Sequence, residues 1–257
     1  MKLKDWMMKR NPIFWSLIQK FGLLRLLPPA FGMYILIPVY PVLHIICIKL
    51  LYNIIVCPLL SVQPINLKNY IIIDRHKIAG MSLTARFHCM YCEYANGICV
   101  AMGALLGRIA CEAKPPAGMP LKALALMVYM PASLLSSLCQ SCVMVLYNAA
   151  IAPTIGLHRV TLKQAYEKMD ASGFADAFTP FGSFGRLLLR YENSVALIHA
   201  NALEQVESQW CPIRHLATNP EAIFPDHHVN FLDRCELCEL RKILCTEGSV
   251  SPRKPTG

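Results

Sequence analysis

Charge is what this chain has least of. Asp, Glu, Lys and Arg together make up 16% of its 257 residues, while hydrophobic residues make up 55%. A soluble globular chain carries about 25% charged residues, so the shortfall favours a membrane protein. Recognisable catalytic signatures are missing too. There is no G-x-S-x-G, no P-loop and no G-x-G-x-x-G, which removes the sequence case for a serine hydrolase or a nucleotide-binding enzyme. The spacing around Cys89 is not C-x-x-x-C-x-x-C, so a radical S-adenosylmethionine cluster has no support. The first apolar run comes late, which argues against a cleaved signal peptide.

The charge that is present is lopsided. The formal net charge is +9, and Lys2, Lys4, Lys9, Arg10, Lys20 and Arg25 stand against the single acid Asp5 in the first 25 residues. Beside an apolar run, such a block reads as cytoplasmic and attracts anionic lipid. The basic residues form no stripe beyond it, so no nucleic-acid partner is expected. Met1–Arg25 reads either as an amphipathic surface helix, with Trp6, Met7, Phe14, Trp15, Ile18 and Leu26 on one face, or as the solvated start of a first membrane helix.

Two long stretches are free of formal charge. Residues 26–47 and 50–67 are broken only around Lys49; Met33–Leu60 suits one tilted span or a kinked hairpin through Pro38 and Pro41, and Lys49 is costly at the bilayer centre but can snorkel if it lies off-centre. Residues 123–157 form the second stretch, with a polar middle of Ser133, Ser136, Ser137, Gln140 and Ser141. It suits one long helix or a re-entrant pair turning near Ser136–Ser137.

Twelve cysteines in a large apolar chain point to reduced thiols and metal binding rather than a disulfide framework. Cys89 and Cys92 form a C-x-x-C pair, read as a tight turn. Cys211 and His215 form a C-x-x-x-H pair where a helix over Asn193–Trp210 meets Pro212. Together they complete a Cys3His set, for which zinc is the best match; iron or an iron–sulfur cluster ranks below it. His227, His228, Cys235 and Cys238 form a second candidate metal set. Asp74, His76 and Glu93 are candidate polar groups that no motif singles out. Cys139 and Cys142 lie inside the second apolar stretch, where packing is the commoner role for cysteine.

The half-sites flank that stretch, so a shared ion requires zero or two crossings between Cys92 and Cys211. This favours a hairpin or a dipping insertion over a single span. A crossing by Ile98–Ala110 is disfavoured by Arg108 and its short length.

The motifs Cys89-Met-Tyr-Cys-Glu-Tyr-Ala-Asn-Gly97 and Trp210-Cys-Pro-Ile-Arg-His215 resemble those of a family of bacterial proteins without an established activity, which carry C-x-Y-C-x-Y-A-N-G followed by W-C-P-I-K-H. The segment Ala202–Trp210 is also similar. In the family little more than one helix separates the motifs, whereas here more than a hundred residues intervene. The resemblance implies a shared metal-site module and little else.

The expectation is a mainly α, membrane-associated protein with a small Cys/His metal module. It divides into a basic amphipathic segment (1–30), a membrane segment (31–65), the first half of the module (66–120), an apolar hairpin or span (121–158), a helical region with the second half (159–247) and a disordered tail (248–257). The expected role is metal-supported scaffolding or interaction at the bacterial inner membrane. The N-terminus and module face the cytoplasm, and lipid and a protein partner are in contact. The rival role is a thiol–disulfide or electron-transfer protein using its C-x-x-C pairs.

Overall fold

A computed structural model describes residues 12–77, 81–172, 178–210, 214–215 and 219–231. The described residues are mainly helical, with no strand among them: α1 Pro12–Phe21, α2 Leu23–Leu59, α3 Leu83–Glu112, α4 Met119–Ile155, α5 Leu162–Ser172 and α6 Gly182–Trp210. Residues 1–11 and the tail from 232 onward, including the expected disordered end, lie outside the described residues.

Helices α2, α3 and α4 are long and apolar enough to cross a membrane. The 30 residues of α3 rise about 45 Å, against a hydrocarbon core of about 30 Å. α2 absorbs Pro38 and Pro41 by loosening into wide turns, in which the N–H of Cys57 bonds to the carbonyl of Tyr52 five residues back. Lys49 is exposed and ten residues, about 15 Å, from the helix end.

Hydrogen bonds and packing fix the directions. Tyr91 donates to the carbonyl of Met33 at 2.9 Å, and the N–H of Lys114 donates to Leu60 at 2.9 Å. α2 and α3 are therefore parallel, and residues 60–77 run back between their opposite ends as a non-helical strap. α4 returns, so that Tyr147 and Ile151 pack with Leu26 near the start of α2. α6 runs parallel to α4: its start meets Tyr129 through Phe178 and Phe181, and its Ile198, Ala202 and Val206 join Tyr147, Ile151 and Ile155.

α6 is the central helix, packed against α3, α4 and α5. It is also the most polar of the long helices, and Glu192, Ser194 and His199 on it are fully buried. The outer surface is the reverse. Leu24, Phe31 and Ile54 on α2 and Met127, Leu138 and Val145 on α4 are exposed. Polar groups inside and apolar ones outside is the distribution expected of a chain in lipid.

Two expectations change here. The stretch 119–155 is one continuous helix, with no turn at Ser136–Ser137; those hydroxyls face α6 and are buried. Ile98–Ala110 is the interior of α3, itself one of the three apolar helices. Arg108 does not prevent this, because it lies one turn from the helix end and reaches the carbonyls of Gln63 and Pro64. Asn96–Gly97 is neither turn nor helix start but mid-helix, where Asn96 donates back to the carbonyl of Cys92 at 3.0 Å. Thus α3 runs away from the end of the bundle that holds Cys92, and α4 runs back towards it.

Thr161 and Gln164 form a capping box at the start of α5. The N–H of Thr161 donates to the Gln164 side chain at 3.2 Å, and the N–H of Gln164 donates to the Thr161 hydroxyl at 3.4 Å. Thr161→Ala should cost about 1 kcal/mol, read as a small fall in Tm of the detergent-solubilised protein with its metal content unchanged.

Candidate metal centre

At the end of the bundle where α3 begins and α6 finishes, charged side chains meet. The strap brings Asp74 and Arg75, α3 brings Glu93, α6 brings Glu207, and the chain after α6 brings His215, His227 and His228. Asp74, Arg75, Glu93 and Glu207 are each at most 2% exposed.

Arg75 sits between two lobes. Its Nε donates to Glu93 Oε1 at 3.2 Å and its Nη2 to Glu207 Oε1 at 2.6 Å, while its backbone N–H donates to Glu93 Oε1 at 2.6 Å. The first lobe gathers Asp74, Glu93 and His215. His215 Nδ1 is 2.9 Å from Asp74 Oδ1 and 3.4 Å from Glu93 Oε1. The second gathers Glu207, His227 and His228, with the two Nε2 atoms 3.0 and 2.8 Å from Glu207 Oε2. In each lobe, three potential ligand atoms lie within 4.8 Å of one another. The edge of a tetrahedral zinc site with N and O ligands is about 3.3 Å, so both lobes are close to ligand geometry.

Phenylalanines close the site. Phe224 stacks on His215 and Phe231 on His228, each with ring centroids 4.5 Å apart. The segment that carries them is tied to the strap, since the N–H of Ile223 donates to the carbonyl of Asn69 at 2.7 Å.

Burial, reinforced by the charge of Arg75, holds the His215 imidazole below its ordinary pKa. Burial likewise lowers His228, against the pull of Glu207. Both are therefore kept neutral, the form in which imidazole offers a lone pair to a metal. For Glu207, burial alone would raise the carboxyl. Hydrogen bonds from His227 and His228 and the charge of Arg75 outweigh it and keep the carboxylate ionised. Glu93 Oε2 and His228 Nδ1 are buried and have no hydrogen-bond partner among the described residues.

The expected ligands fall as follows. Cys89 and Cys92 are buried three residues apart on α3, so the tight turn read from their spacing is a helical turn. His215 joins Asp74 and Glu93, and among the described residues no three-atom ligand group includes a cysteine. Cys211, Cys235 and Cys238 lie outside the described residues. His227 and His228 do share a group, completed by Glu207. Cys139 hydrogen-bonds to Cys47 across the α2–α4 contact, while Cys142 is exposed; the helix turns the two members of this C-x-x-C pair apart.

Arg75 and Glu207 carry no sequence signal of their own. An Asp-Arg pair directly after Ile71-Ile-Ile73 is the one available hint, because charge abutting an apolar run is often buried with a partner. Compared with family profiles, curated proteins and solved structures, the chain matches none.

Proposed function

We propose that this chain is a membrane-embedded helical protein that holds a divalent metal in the terminal carboxylate–histidine cluster, with zinc as the first candidate. The observation that carries the reading is the convergence of three potential ligand atoms in each lobe; Glu93 and His228, one from each lobe, also have a buried atom, Oε2 and Nδ1, with no hydrogen-bond partner among the described residues. Buried polar atoms nearly always have partners, and a cation supplies one. The ion would fasten the strap, α3, α6 and the chain beyond α6, segments that are remote in sequence. That suits a structural or scaffolding role. Three protein ligands per lobe also leave a coordination position open, as catalytic zinc sites do. Mixed imidazole and carboxylate donors suit iron(II) and manganese as well.

Placement in the membrane follows from the basic N-terminus. Lys20 donates to Gln209 at 2.9 Å, so α1 lies at the same end as the cluster. Under the positive-inside rule that end faces the cytoplasm. The motif resemblance favours a bacterial inner membrane, with lipid against α2 and α4 and a protein partner at the cytoplasmic end.

The test is the metal content of the purified full-length protein beside Glu93→Gln, His228→Ala, Cys89→Ser and Cys211→Ser. The wild type should hold a stoichiometric ion, lost in Glu93→Gln if it sits with Asp74 and His215 and in His228→Ala if it sits with Glu207 and His227. Loss in the cysteine variants as well would add thiolates to the ligand set; retention there would leave the ion to the carboxylates and imidazoles. A wild type that neither holds nor takes up zinc, iron or manganese would sink the reading. The thiol reading has one observation behind it, the Cys47–Cys139 contact. It requires those two thiols to form a reversible disulfide under oxidant, countable by alkylation.

A further inference from the structure

A second polar constellation lies deeper in the bundle. Glu192 of α6 is fully buried, and among the described residues no lysine or arginine pairs with it. Hydroxyls take that place. Tyr52 donates to the carboxylate, 2.6 Å from both oxygens, and the hydroxyls of Ser133 and Ser136 lie beside it as further polar neighbours.

From Ser136 a chain continues toward the terminal cluster. Gln140 Nε2 is 3.2 Å from the Ser136 hydroxyl, His199 Nδ1 is 3.4 Å from Gln140 Oε1, and Tyr40 is 3.3 Å from His199 Nε2. Tyr40 lines a small cavity shared with Tyr91, Cys92, Asn96 and Glu207. With Glu192 ionised, every direction in the chain is set. An ionised carboxylate only accepts, so Ser136 donates to it and must accept from the Gln140 amide. The amide oxygen then accepts from His199 Nδ1–H, and His199 Nε2 accepts from Tyr40. The Met102 thioether, 4.0 Å from the Ser136 hydroxyl, is the weaker competitor for that proton.

A lone carboxylate surrounded by apolar helices is costly to keep charged. A proton from water removes the charge and leaves a carboxyl that can donate. It then donates to Ser136, whose hydroxyl turns to Gln140. The amide flips and donates to His199 Nδ1, which has given up its proton to water while Nε2 has gained one from water, by way of the cavity that Tyr40 lines, so that Nε2–H points at Tyr40. The chain has two opposite polarities, and one proton selects between them. The groups facing Glu192 are Cys47 and Tyr52 from α2 and Tyr129 from α4, with His199 further along its own helix. α3 offers the Met102 thioether, and α5 presents Met169 to Asn193 beside it. None is a second carboxylate or a fixed cation.

We propose that Glu192 is an exchangeable proton-binding site inside the bundle, and that its occupancy sets the His199 tautomer and so the polarity presented by Tyr40 to the cavity beside Glu207. The inference does not require a metal in the terminal cluster.

The test is infrared and 15N-histidine NMR spectroscopy of the purified full-length protein across pH, beside Glu192→Gln and Ser136→Ala. In the wild type, a protonated carboxyl band should grow as pH falls, together with a switch of His199 from the Nδ1–H to the Nε2–H tautomer. Glu192→Gln should lose the band and the switch. Ser136→Ala should keep the band and lose the switch, which guards against misfolding as the explanation. A His199 tautomer that follows pH identically in all three proteins overturns the proposal. So does a sodium- or potassium-dependent rise in Tm that Glu192→Gln abolishes, because the carboxylate would then hold an alkali cation.

Discussion

Arg75→Met should be the most damaging single substitution at the terminal cluster, costing about 3–5 kcal/mol, the range for breaking a buried ion pair by removing one partner. The guanidinium is 1% exposed and bridges Glu93 and Glu207, which are equally buried. Without it, two carboxylates face each other with no fixed cation between them. Thermal unfolding in detergent is the readout. Arg75→Lys should fall between wild type and Met, because one ammonium cannot reproduce a fork that reaches both carboxylates. Adding Glu207→Gln to Arg75→Met should recover part of the loss, since it removes one of the stranded charges. If the double variant is no more stable than Arg75→Met alone, the bridge does not hold these elements together.

The second large effect is expected at Gly97. A Cβ there would lie 2.6 Å from the carbonyl oxygen of Tyr70 and 2.9 Å from Cα of Ile71. Both are backbone atoms of the strap and cannot swing aside as a side-chain tip can. Gly97→Ala should therefore cost about 1–3 kcal/mol, in the range of overpacked cores, although alanine is the better helix former. Gly103→Ala on the same helix is the control: nothing lies within 4 Å of its added Cβ, so stability should hold or rise. Because the strap carries Asp74 and Arg75, the Gly97 variant should also lose metal affinity while the Gly103 variant keeps it.

Much of the scaffold could be read from the chain alone. The two charge-free stretches became α2 and α4, Thr161–Gln164 capped α5, and the apolar face of Val195, Ile198, Ala202 and Val206 turned inward on α6. These features are local, written in the spacing of neighbouring residues. α3 was harder to recognise, because small residues and Asn96–Gly97 resemble a turn when the strap that exploits the glycine is not in view. The cluster was harder still. Asp74 and Glu93 carried no motif, and Glu207 follows Val206 on a helix where one residue of register decides between buried and exposed. Only the packing of the strap against α3 and α6 brings them to Arg75. The cysteines drew attention because their spacing is recognisable, whereas the carboxylates meet through tertiary structure.

The strap also breaks the symmetry of the protein's surroundings. Its inner residues Val62, Ile65, Tyr70 and Ile72 are buried, but Gln63, Asn66 and Lys68 point outward partway along the bundle. Acyl chains will not wet those groups, nor irregular backbone at that depth. A bilayer receiving this bundle therefore meets an oily flank along α2 and α4 and a hydrophilic one along the strap. Along that hydrophilic flank it must thin, admit water or be displaced by another polypeptide.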